Sequence, residues 1–180
     1  MKYAVIKKMD ITNGEGIRVS LFVSGCKFHC KNCFNLEAQN FSYGKEYTQE
    51  TVDRIKEYLN KPSIKGISIL GGDPLWQTNE DMEQLAELCK IVHSLDKNVW
   101  IWSGFTWEEI FGGTDDNTKE EDKLIVLRKE LILSANIFID GRFEKDKKDF
   151  SLKWRGSFNQ RIIDVKASKE NSLRPLLYCD

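Results

Sequence analysis

Three of the five cysteines in this 180-residue chain crowd one short run, CKFHCKNCFN, at Cys26, Cys30 and Cys33. Three thiolates from one loop can hold three irons of a cubane [4Fe–4S] cluster and leave the fourth iron without a protein ligand. Electron-carrying clusters are ordinarily closed by four cysteines. A cubane with one open iron can bind a substrate, much as catalytic metal sites keep one position free. Two plainer uses compete. Structural zinc needs four ligands, and the chain has two histidines: His29, wedged between Cys26 and Cys30, and His93, far along in a helical stretch. A disulfide framework is disfavoured by the odd cysteine count and by a start, MKYAVIKKMD, without the apolar core of a secretory signal. The spacing favours a cluster, with zinc or inert thiols as the alternatives. Cys89 falls in the helical stripe Met82, Leu85, Cys89, Val92 and reads as a small buried hydrophobe. Cys179, the penultimate residue, reads as part of a loose tail.

The elements that must position this loop alternate between strand and helix patterns, which predicts an α/β parallel sheet. Residues 18–23 (RVSLFV) read as a strand that delivers the chain into Ser24-Gly25 and the cysteines. Residues 48–60 read as a helix with Thr48 as N-cap and Val52, Ile55 and Leu59 on one face. Further strands are expected at 66–70, 98–102, 136–139 and 160–165, and further helices at 79–95 and 121–133. The strands end in Gly71-Gly72-Asp73-Pro74, Ser103-Gly104 and Asp140-Gly141. Ligands of α/β sheets bind at the carboxyl ends of the strands, so four stretches point at one mouth. The polar run 112–122 reads as a surface insertion and 167–180 as a tail or strap.

Lys plus Arg total 27 and Asp plus Glu 28, so no charge excess calls for nucleic acid or an anionic membrane. No apolar run approaches a membrane span. The expectation is one soluble, cytoplasmic domain over residues 1–180, in a reducing, oxygen-poor setting.

Some motifs have plain readings beside sharper ones. Gly71-Gly72-Asp73-Pro74 is good chemistry for a tight turn. Phe34, next to Cys33, is either loop packing or a shield for a cluster and a surface for a planar ring. Trp100 and Trp102 share one strand face and read as core. Arg155 and Gly156, after Trp154, read as a partner-facing loop or a surface turn.

The three-cysteine spacing resembles the signature of the radical S-adenosylmethionine (SAM) enzymes. There the open iron chelates the amino and carboxylate groups of SAM, and an electron from the cluster yields a 5′-deoxyadenosyl radical. More narrowly, DITNGEGIR (10–18), LFVSGC (21–26), CKNCFN (30–35), GGDPL (71–75), WIWSGF (100–105), DGRF (140–143) and SLKWRGSFNQR (151–161) together resemble the anaerobic ribonucleoside-triphosphate reductase-activating proteins. The resemblance spans most of the chain. It implies a compact, incomplete (β/α) barrel with a mostly parallel sheet, a [4Fe–4S] cluster on Cys26, Cys30 and Cys33, and SAM as cosubstrate. Asn32, Cys33, Phe34, Gly71, Gly72 and Asp73 match SAM-contacting positions, and Ser103 is expected to add a polar contact. The main chain of the glycine run makes its contacts without the side chain, so Asp73 is tolerated where the superfamily carries Glu. Residues 10–18 and 140–161 are expected to surround the mouth. The implied activity is formation of a glycyl radical on the reductase, fed by a reduced flavodoxin- or ferredoxin-like donor. The rival readings are an activase of another glycyl-radical enzyme, of the pyruvate formate-lyase type, and a non-catalytic iron–sulfur or zinc protein. Asn32 and Glu15 depart from the family, which often has Gly and Pro there.

Overall fold

A computed structural model describes residues 1–112 and 119–178. Residues 113–118 of the expected insertion and Cys179 lie outside the described residues. Eight strands form one sheet: β1 (Lys2–Asp10), β2 (Ile17–Val23), β3 (Lys45–Glu46), β4 (Ile64–Gly71), β5 (Asn98–Trp102), β6 (Ile137–Asp140), β7 (Arg161–Asp164) and β8 (Leu176–Leu177), in the order β3-β1-β2-β4-β5-β6-β7-β8. Among the described residues five α-helices accompany it: α1 (Gln49–Leu59), α2 (Asn79–Ser94), α3 (Trp107–Phe111), α4 (Lys119–Leu133) and α5 (Val165–Glu170).

The α/β expectation holds, but the sheet is mixed rather than mostly parallel. β2, β4, β5 and β6 run parallel, while β1, β3, β7 and β8 join antiparallel. The reason lies in the connections. Parallel neighbours require a crossover, and helices precede β4, β5 and β6. The links β1–β2 and β6–β7 contain no α-helix, and they reverse the chain. The sheet is open: β3 and β8 are its edges and do not pair with each other.

Side-chain alternation divides the sheet into two faces. Val19, Leu21 and Val23 of β2, Ile67 and Ile69 of β4, Val99 and Ile101 of β5 and Phe138 of β6 enter the main core with the helices. α1 supplies Val52, Ile55 and Leu59; α2 supplies Met82, Leu85, Leu88, Cys89 and Val92. Cys89 is fully buried, as its helical stripe implies. Thr48 and Thr51 close a capping box on α1, and Thr78 Oγ1 accepts the Asp81 N–H at 3.2 Å to start α2. The opposite face carries a second cluster of Trp100, Ile137, Ile139 and Ile162, with Trp102, Trp154 and Tyr178 packed on it. The tail expected over 167–180 is more ordered than its sequence suggests, since it contains most of α5 and the whole of β8.

Candidate active site

The carboxyl ends of β2, β4, β5 and β6 open on one cavity of about 380 Å³. Cys26, Cys30, Cys33 and Phe34 line it from the first strand end, Gly71-Gly72-Asp73 from the second, Ser103-Gly104 from the third and Gly141 from the fourth. The structure thus brings together the four stretches that sequence placed at one mouth. Asn32 is not among the lining residues; it lies exposed on the loop at a left-handed φ of 61°. Phe34 is 95% exposed at the rim. His29 does not line the cavity, and its Nδ1 pairs with Gln39 Oε1 at 3.2 Å, which leaves it poorly placed as a fourth ligand.

Main-chain hydrogen bonds weld the strand ends. Gly72 N donates to Val23 O at 2.7 Å, Asp73 N to Gly25 O at 2.8 Å, and Gly25 N to Ala38 O at 2.7 Å. Gly72 is packed so tightly that a Cβ would stand 2.6 Å from both Ala38 O and Gly25 O. The Asp73 side chain has work of its own. Its carboxylate is buried and accepts from Leu75 N (2.8 Å), Ser103 Oγ (2.9 Å to each oxygen) and Gly104 N (2.8 Å). The Ser103 hydroxyl is therefore committed to Asp73 and ties β5 to β4. Burial pushes the Asp73 carboxyl up to about 6, against the opposing pull of those donors and of Arg128.

Two of the thiols, Cys26 and Cys30, hold their protons in the absence of metal. Burial, joined by Asp73 and the other two cysteines, pushes Cys26 up to about 12. Burial and Cys33 push Cys30 up as well, opposed by the Phe143 N–H and the Arg142 charge. Metal binding must displace these protons and is favoured by rising pH. Among the described residues no three His, Cys, Asp or Glu side chains converge as one metal ion requires. A cubane makes a different demand, because each cysteine binds a different iron and the thiolates stand apart. Three cysteines spread around one cavity, without the convergence on one ion that zinc requires among the described residues, fit a cluster better than they fit zinc.

The family described as "4Fe-4S single cluster domain" matches residues 12–163. A protein of Pasteurella multocida is 36% identical over 169 residues, covering 90% of this chain and 96% of its own; it is called "Anaerobic ribonucleoside-triphosphate reductase-activating protein". Relatives of the same name from Vibrio cholerae (36% over 165 residues, 90% and 97% of the chains) and Enterobacteria phage T4 (34% over 164 residues, 90% and 93%) agree. The chain belongs to the anaerobic ribonucleoside-triphosphate reductase-activating proteins.

In this activating-protein chain, several cavity residues escaped sequence reasoning. Trp102, read as core, is only partly buried and forms part of the wall, its Nε1 donating to Trp154 O at 2.8 Å. Arg142 lies over the Phe28 ring at 4.4 Å and pairs with Glu109 at 2.8 Å. Arg155, left open between a partner-facing loop and a surface turn, lines the cavity with Trp154 and Gly156. Thr12 and Asn13 arrive because Asp10 gathers them: its carboxylate accepts Thr12 N (2.8 Å), Thr12 Oγ1 (2.6 Å) and Asn13 Nδ2 (2.7 Å). Trp102 lies in the run 100–105; for the others the signal available was their place within runs 10–18 and 140–161, both of which reach the cavity. No helix among the described residues is long and apolar enough to cross a membrane.

Proposed function

We propose that this chain is a radical-SAM activase that generates a glycyl radical on an anaerobic ribonucleoside-triphosphate reductase. One observation carries the reading: three cysteines and the Gly71-Gly72 main chain face one cavity at the ends of parallel strands. The names of the relatives supply the partner. Residues 1–180 act as one domain, an incomplete barrel open at its mouth.

Cys26, Cys30 and Cys33 would hold the [4Fe–4S] cluster. Bound there, a cluster would supply the one-electron reduction that cleavage of SAM requires, for radical chemistry directed at a glycine Cα of the reductase. The chain itself binds, orients and excludes water. Gly72, where no side chain fits, presents main chain to the cosubstrate, and Asp73 fixes that main chain against Ser103 and Gly104. Phe28, Leu70, Trp102 and Trp154 form an apolar wall that keeps the site dry. Phe34 at the rim meets the adenine or the incoming reductase segment, with Asn32 beside it on the loop. A reduced flavodoxin- or ferredoxin-like protein supplies the electron.

The test is EPR of the anaerobically reconstituted, reduced protein with and without SAM. A [4Fe–4S] signal that changes shape on adding SAM supports the open iron, and a glycyl radical on added reductase supports the activase. A signal indifferent to SAM points to an electron carrier. Zinc retained without iron overturns the reading. Cys30→Ala should leave a folded protein that yields no 5′-deoxyadenosine.

A further inference from the structure

We propose that Arg142 and Glu109 form a charge lever on the cluster: the Arg142 cation raises its reduction potential, and the Glu109 carboxylate holds that effect down. The inference rests on Cys26, Cys30 and Cys33 being the cluster ligands.

Arg142 follows Gly141 at the end of β6 and lines the same cavity as the three cysteines. Its guanidinium stands 4.4 Å from the centre of the Phe28 ring, and Phe28 lies between Cys26 and Cys30 in the loop. The next residue, Phe143, lines that cavity as well. A cation is thus held at the wall, on the ring of the loop that carries Cys26 and Cys30. Glu109 comes from α3. Its Oε2 accepts Thr106 N at 2.8 Å in the helix cap, and its Oε1 accepts Arg142 Nη2 at 2.8 Å. The carboxylate is therefore anchored by the helix cap and offsets the guanidinium charge.

On reduction a cluster accepts one electron and gains one negative charge. A cation beside the cluster stabilises that state more than the oxidised one. Both side chains are partly exposed, at 44% and 38%, so water and salt screen the effect. The expected change is up to about tenfold in the reduction equilibrium, or ~59 mV for one electron. Whatever draws Glu109 away from Arg142 strengthens the cation's pull and eases reduction.

The experiment is an anaerobic redox titration of reconstituted protein, followed by the EPR signal of the reduced cluster. Arg142→Gln should lower the midpoint, Glu109→Gln should raise it, and Arg142→Lys should stay near wild type. Higher ionic strength should shrink the differences. Both Gln variants break the same ion pair, so loss of the pair as a structural tie moves both the same way. Only the charges give opposite signs. Unmoved midpoints, or shifts in one direction, overturn the lever while leaving the cluster in place. A wild type that takes up no cluster overturns the activase reading and this inference together.

Discussion

Single side chains around the cavity are held by hydrogen bonds whose loss is measurable. Asp10 is the clearest. Burial pushes its carboxyl upward, but the Thr12 side chain and backbone, Asn13 and Ser20 together outweigh it and bring the group down to about 2, from an ordinary 3.8. The folded state therefore prefers the ionised form. Its contribution is complete above about 4 and is lost as pH falls through about 2. The difference is worth about 2 kcal/mol. Urea unfolding of wild type and Asp10→Asn should differ by about that amount at pH 5 and converge near pH 2; a constant gap would show that the hydrogen-bond shape, not the charge, matters. Asp73 was read as contributing main chain alone. Its buried carboxylate accepts from three donors, and no motif in the local sequence marks Ser103, thirty residues on, as one of them.

At the scale of elements, the strand ends carry the site and the turns after them set its shape. Gly72 illustrates this. A Cβ there would press on two carbonyl oxygens, one of them on Gly25, which leads into Cys26. Backbone cannot retreat as a flexible side chain can, so Gly72→Ala should displace the cysteine loop. The expected outcome is a lower melting temperature together with fewer irons bound per chain after reconstitution. A destabilised variant that still loads iron fully would mean that the loop is independent of β4. Elements with strong internal patterns matched expectation closely. The strand expected at 98–102 is β5, and the helix expected at 48–60 is α1 together with its two caps. β1 was missed because its burial does not alternate cleanly; its lysines and register irregularities suit a strand near the sheet edge.

Across the whole molecule, two cores stabilise the sheet from opposite faces, and the cavity wall draws Trp102 and Trp154 from the smaller one and Phe28 from the edge of the main one. Trp100 joins the smaller core to the wall. It is 2% exposed, meets Trp154 edge-on at 5.0 Å and Trp102 at 5.9 Å, and lies under the Arg18 guanidinium at 5.1 Å. Trp100→Ala should cost about 3–5 kcal/mol. It should also weaken SAM binding, because Trp102 and Trp154 lose their support. A matching loss in the main core, Ile69→Ala, should lower stability and leave SAM affinity near wild type. Denaturant titrations paired with equilibrium dialysis of labelled SAM would separate the two faces, and equal effects on affinity would argue against the division.

A short window of the chain can encode the cysteine spacing, the strand and helix periodicities, and the glycine and serine punctuation at four strand ends. Those signals are local because thiolate ligation, side-chain alternation and turn geometry are local. Packing of the assembled sheet, by contrast, sets Ser103 on Asp73, makes Trp102 part of the cavity wall and brings Arg142 and Arg155 to its lining. Each of these depends on which residues from separate strands and loops meet. That meeting is fixed by sheet order and by the antiparallel return of β7, which carries the 141–160 connection back over the mouth.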